Sequence, residues 1–135
     1  MEIVDAKYGM ITSMTDLEEN EYQDWHKDYR NIPGLILVLS SGVHEDLSYI
    51  CFFPHEPDYM GQRCIRTSRG IMAEDEKNIV MKTFSSIYCL EKNENCISPV
   101  DKVFLSALAV RKFMSFSKDS KGLMGEIEDE LNNRM

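Results

Sequence analysis

Paired metal-ligand cysteines, long apolar runs and an excess of basic residues are all missing from this chain, and each absence narrows its possible roles. Cys51, Cys64, Cys89 and Cys96 are separated by 13, 25 and 7 positions. None forms the close Cys-x-x-Cys type of pair that a compact tetrahedral zinc site uses, so no metal is expected and the thiols are read as small buried hydrophobes. The longest near-apolar stretch, Ile32 to Leu39, is interrupted by Pro33-Gly34 and is far too short for a membrane span. Bases number 15 against 23 acids, a net charge of −8. Such a surface repels a phosphate backbone, so nucleic acid is not an expected partner.

Other signals are equally sparse. Met1-Glu-Ile-Val-Asp-Ala6 has neither a basic n-region nor an apolar h-region, and with four cysteines this leads to an expected cytoplasmic location. No repeat, low-complexity tract or Pro/Gly-rich linker divides the sequence, so residues 1–135 are expected to form a single domain. Hydrophobic residues make up 43% of it, enough for a core without disulfides or metals. There is no Ser-His-Asp order, Gly-rich phosphate loop, His-Glu-x-x-His helix or dinucleotide fingerprint. An enzyme is therefore not the expectation, and no cofactor is implied.

What is present is one concentrated stretch. Asp16 to Arg30 holds six acids against Lys27 and Arg30, together with the only Trp and two of the six Tyr. Thr15 followed by Glu18 fits a capping box, predicting a helix from there to about Arg30, where Pro33-Gly34 stops it. Its apolar members Leu17, Tyr22, Trp25 and Tyr29 form a narrow stripe, and acids cover the other faces. Two arrangements follow. The aromatics either pack inward as a core stripe, or they face solvent as the anchors of a protein-binding surface.

Elsewhere, Glu2 to Thr12 is rich in β-formers and predicts a short strand. Leu35-Ile-Leu-Val-Leu39 predicts a strand buried on both faces, and Leu47 to Phe53 a second, ended by Pro54. Pro54 to Asp58 predicts a loop, and Tyr59 to Thr67 a third strand of an antiparallel meander. Ile79, Val80, Phe84, Ile87 and Tyr88 recur at helical spacing, predicting a helix over 74–91, with a strand pair over 78–90 as the rival. Ser98-Pro99-Val-Asp101 is the clearest boundary, with Ser at the N-cap, Pro at N1 and Asp at N3 of a helix reaching about Phe116. Beyond Gly122 and Gly125, residues 126–131 predict a frayed terminal helix. The fold class expected from this pattern is α+β, a small antiparallel sheet of about three or four strands packed against three to four helices.

Candidate chemistry is scattered. His44-Glu-Asp46 and His55-Glu-Pro-Asp58 each set an imidazole beside carboxylates, but they flank a strand of roughly 20 Å and should not meet in one site. Cys64-Ile-Arg-Thr-Ser-Arg69 resembles a phosphate-cradling nucleophile loop only superficially, because it lacks internal glycine. Arg63, Arg66 and Arg69 alternate on a strand and suit structural pairing with carboxylates. The leading expectation is a small acidic binding protein that neutralises or inhibits a basic protein partner, as an immunity protein does to a toxin nuclease, through Glu18, Glu21, Tyr22, Asp24, Trp25, Asp28 and Tyr29. The alternatives are an acidic chaperone for a secreted effector, which requires a dimer, and a small hydrolase-type enzyme using His55, His44 or Cys64. The sequence implies no oligomeric state.

Overall fold

The computed structural model describes residues 2–40, 46–55 and 64–116. Within them the chain forms β1 (Glu2–Asp16), a 3-10 helix (Trp25–Tyr29), β2 (Gly34–Ser40), β3 (Ser48–Pro54), β4 (Ile65–Arg66), β5 (Gly70–Glu74), β6 (Asn78–Thr83), β7 (Ser86–Lys92) and α1 (Pro99–Phe116). Every strand pairing is antiparallel, in the order β2-β1-β7-β6-β5-β3-β4, and a further pairing of β2 with β3 closes the sheet on itself.

The register shows how the closure works. Glu2 faces Ser40, Ser40 faces Ser48, Ser48 faces Gly70 and Gly70 faces Thr83. Beside Thr83, Lys82 faces Ile87, whose partner on β1 is Thr15. One circuit therefore returns to β1 near its far end instead of at Glu2. That stagger is what tilted strands need to close a barrel. β1 is long because its first half pairs with β2 and its second half with β7. Register shifts between Ile3 and Asp5 and between Ile11 and Ser13 bend it along the way. The skipped Val4 faces solvent, and the skipped Thr12 donates its hydroxyl to the Cys89 carbonyl at 3.1 Å. At the changeover, Gly9 pairs with both Gly34 and Lys92, and a Cβ there would collide with the Glu91 carbonyl. Only glycine allows that approach.

Two cores result. Ile11, Met14, Ile36, Val38, Ile50, Phe52, Ile79, Met81, Tyr88 and Leu90 fill the barrel interior. Ala6, Tyr8, Leu35, Leu37, Leu39, Cys51 and Phe53 form a second cluster with Ile97, Leu105 and Ala109, where α1 lies against the outside of the barrel. β2 serves both, with alternate residues pointing each way, which is why its sequence is apolar without interruption. β6 has only one buried face and shows strict alternation of exposed and buried residues.

α1 begins as its sequence predicts. The Asp101 N–H donates to Ser98 Oγ at 3.2 Å, and Ser98 Oγ donates to Asp101 Oδ2 at 2.9 Å. Leu105, Leu108 and Ala109 are buried on its inner face, while Val100, Val103 and Phe104 are largely exposed.

The structure corrects the expected fold class. The described residues are mostly β, a seven-stranded antiparallel sheet with one α-helix, and not a small sheet packed against three to four helices. Two predicted helices account for the difference. Residues 78–90 form the β6–β7 hairpin, because Ile79, Met81, Tyr88 and Leu90 alternate into the barrel and find partners across the turn. Residues 15–30 are not an α-helix either, and only Trp25–Tyr29 forms a short 3-10 helix. Thr15 and Asp16 are the last residues of β1, held by pairing with Ile87 and Ser86. The third strand of the meander is reduced to Ile65–Arg66 among the described residues. The frayed terminal helix over 126–131 lies outside them. No helix among the described residues is long and apolar enough to cross a membrane.

Candidate functional site

The acidic stretch forms a cap over one end of the barrel, and its path is set by side chains that compete with helical hydrogen bonding. Asp16 accepts the N–H groups of Glu18 at 2.8 Å and Asn20 at 3.0 Å, a local turn that ends the strand. Glu19 sits in the left-handed region at φ 67° within this turn. The Tyr22 N–H then donates to the Met14 carbonyl, so the chain doubles back beside β1. Asp24 caps the 3-10 helix by accepting the His26 N–H at 3.0 Å. After the helix, Asn31 at φ 61° donates its N–H to the Ile11 carbonyl at 2.7 Å and returns the chain to the barrel wall.

Four rings organise the cap. Tyr29 is 7% exposed and belongs to the barrel-interior cluster. Tyr22 packs partly against the same cluster, and its hydroxyl is 2.7 Å from Ser86 Oγ and donates to the Ser85 carbonyl at 3.3 Å. His26 is stacked between Tyr22, at 4.4 Å and 22°, and Trp25, at 3.8 Å and 20°. Trp25 also meets the Tyr29 ring edge-on at 5.9 Å. The outermost ring, Trp25, is 54% exposed. The turn that receives the Tyr22 hydroxyl carries Phe84, which is 93% exposed. Leu17, just past the strand end that pairs with Ser86, is exposed as well.

The charges divide into engaged and unengaged groups. His26 Nδ1 lies 2.5 Å from Asp24 Oδ1, so Nδ1 carries the proton toward the carboxylate. That hydrogen bond, aided by the His26 N–H, holds the Asp24 carboxyl below the usual carboxylate range. The N–H of Asn20 does the same, first among several causes, for Asp16. Glu21 accepts from Arg30 Nη1 at 3.0 Å. Glu18, Glu19 and Asp28 are exposed and make no side-chain hydrogen bond or ion pair among the described residues.

Of the predicted face, then, Glu18, Trp25 and Asp28 point to solvent, Glu21 and Asp24 are tied locally, Tyr22 is half-buried and Tyr29 is turned inward. A helix would have set Tyr22, Trp25 and Tyr29 on one stripe; the observed cap instead separates an inward Tyr29 from an outward Trp25. His26, Phe84 and Leu17 are not among the predicted face residues, although the sequence marks Leu17 and Phe84 as apolar members of predicted helices. The Asp24-Trp25-His26 order carries a signal for His26, since an Asp accepts the N–H two residues on when it caps a turn. Phe84 offers none, because its exposure follows from the hairpin.

The other candidates lie apart from this cap. His55 lies 3.4 Å from Asp101, at the start of α1, and His44 lies outside the described residues. Cys51 is fully buried, and burial pushes its thiol up to about 12, so it stays protonated at neutral pH. Cys64 and Cys96 pack at the margin of the same cluster, and no disulfide joins the four cysteines. The Arg66 guanidinium lies over the Tyr49 ring at 5.7 Å; Arg63 lies outside the described residues. Among the described residues no group of three or more His, Cys, Asp or Glu side chains is placed to hold a metal ion. A surface depression of about 400 Å³ lies at the opposite end of β6, lined by Lys77, Asn78, Glu91, Lys92 and Asn93. Its Lys92 is already held by Glu74 at 2.6 Å and by the Asp75 carbonyl. Comparison with models of known protein families and with curated proteins finds no match for this chain.

Proposed function

We propose that this is a small acidic binding protein that occludes a basic protein partner, as a neutralising inhibitor does, and that the barrel-end cap is its contact face. The observation that carries the proposal is the outward Trp25, on a stretch that also exposes the unengaged carboxylates of Glu18, Glu19 and Asp28. Leu17 and Phe84 are further exposed apolar side chains, at the end of β1 and in the turn before β7. An aromatic anchor inside an acidic rim suits a basic partner: the rim steers encounter, and the buried ring slows dissociation. The cap is positioned by Tyr29 and Tyr22 against the barrel interior, so binding requires little ordering of the chain. Four cysteines with no disulfide among them fit a reducing compartment such as the cytoplasm. An acidic effector chaperone is the second possibility, favoured by the outward Val100, Val103 and Phe104 of α1. It requires a dimer, which light scattering at micromolar concentration decides.

The test is affinity capture from source lysate at low and high salt, comparing the wild-type chain with the triple variant Glu18→Gln, Glu19→Gln, Asp28→Asn. The side chains at these positions make no hydrogen bond among the described residues, and the substitutions leave the backbone bonds of the Asp16 turn in place, so the variant should fold normally. A stoichiometric basic protein that is released by salt, lost with the variant and inhibited by the wild type supports the proposal. Absence of any basic partner at low salt, or equal capture by both chains, overturns it.

A further inference from the structure

The cap has one open aromatic face, and the charge beside it specifies what that face receives. His26 covers one side of the Trp25 indole at 3.8 Å, and Tyr29 meets it edge-on. The exposure of Trp25 therefore belongs to its other side. In a 3-10 helix with three residues per turn, side chains at i and i+3 eclipse. This sets Asp28 at the position one turn along from Trp25, on the same helix face. Asp28 has no ion-pair partner among the described residues, whereas Glu21 is held by Arg30 and Asp24 by His26. Among the described residues Arg66 lies over Tyr49 and Lys102 over Tyr8, but no cation lies over the Trp25 ring.

Resting on the binding role proposed above, we infer that an arginine side chain of the basic partner lies flat on the outer face of Trp25, as the next layer of the Tyr22–His26–Trp25 stack, with its guanidinium received by Asp28. The planar guanidinium continues a stack of parallel rings and offers a fork of donors to one carboxylate. A lysine ammonium is a compact, strongly hydrated charge that does neither, so the site discriminates between the two bases.

Trp25 is the only tryptophan in the chain, so its emission reports this position alone. The experiment titrates the full chain at low ionic strength with a Gly-Arg repeat peptide and with its Gly-Lys counterpart, followed by Trp emission and by calorimetry. The arginine peptide is expected to shift the emission and to bind about two- to fivefold more tightly than the lysine peptide. Asp28→Asn should weaken the arginine peptide by up to about fivefold. Trp25→Leu, read by calorimetry with circular dichroism as the check on folding, should abolish the preference for arginine. Equal binding of the two peptides, or a preference for arginine that survives Trp25→Leu, overturns the arginine seat while the acidic face still binds. Failure of both peptides to bind at low salt overturns the seat and the binding role together.

Discussion

Thr15–Glu18 and Ser98–Asp101 carry the same local signature, a hydroxyl residue followed three positions later by an acid, yet only the second starts an α-helix. At Ser98 the hydroxyl accepts the Asp101 N–H, and the Lys102 N–H reaches the Ser98 carbonyl at 2.9 Å. At Thr15 the hydroxyl donates to the Asp16 carbonyl at 2.9 Å, and the backbone is committed to β7. A cap is worth about 1 kcal/mol, so it decides where a helix begins only when a helix is favoured on other grounds. Leu105, Leu108 and Ala109 supply those grounds in α1, since they share one face and bury it against the barrel. Residues 17–29 offer only the narrow stripe of Leu17, Tyr22, Trp25 and Tyr29, and β7 offers the preceding residues a ladder to join.

The largest way to break this contrast is to remove what makes α1 a helix. Leu105→Ala deletes a fully buried side chain from the outer cluster. It should cost about 2–5 kcal/mol in denaturant unfolding. A loss under 1 kcal/mol would mean that α1 does not depend on that contact.

A sharper test uses the two signatures themselves. Ser98→Ala should cost about 1 kcal/mol, because it removes a working cap. Glu18→Ala should change stability by less than about 0.5 kcal/mol, because its side chain bonds nothing. Equal losses in chemical unfolding would restore a capping role to Glu18 and contradict the cap geometry.

The smallest effect lies in acid. The carboxyls of Asp16, Asp24 and Asp75 are held below their ordinary value of 3.8 by hydrogen bonds to N–H groups, including the His26 ring for Asp24. A depressed folded-state value stabilises the protein above 3.8, and the contribution is lost as pH falls through the lower value. Stability should therefore fall on this account only below about pH 3.8. Asp16→Asn, compared by urea midpoints at pH 7 and pH 3, should show a shallower loss than wild type. An unchanged acid limb would detach the Asp16 turn from stability.

Several elements were legible because local sequence and tertiary demand agree. Leu35–Leu39 is buried on both faces, Ser98-Pro99 opens a helix, and Pro54 ends β3. Residues 74–91 were misjudged because Ile79, Val80, Phe84, Ile87 and Tyr88 fit helical spacing as well as they fit two alternating strands split by a turn. Choosing between them needs the partner strands β5, which borders this segment, and β1, which is distant in sequence. At the candidate site, the concentration of acids around the only Trp was visible in the sequence. The inward turn of Tyr29 and the stacking of His26 were not, because they depend on the 3-10 geometry and on the barrel interior beneath it.

By itself, the sequence determined the charge of the surface, the doubly buried strand at 35–39 and the start of α1, all of which follow from composition or from contacts within a few residues. Tertiary structure decided that the sheet closes, that 15–16 and 78–90 are strands, and that Trp25 faces solvent while Tyr29 does not. These outcomes rest on burial in a shared barrel interior and on pairings such as β1 with β7 that join segments far apart in the chain, and such energies have no representation in any local window.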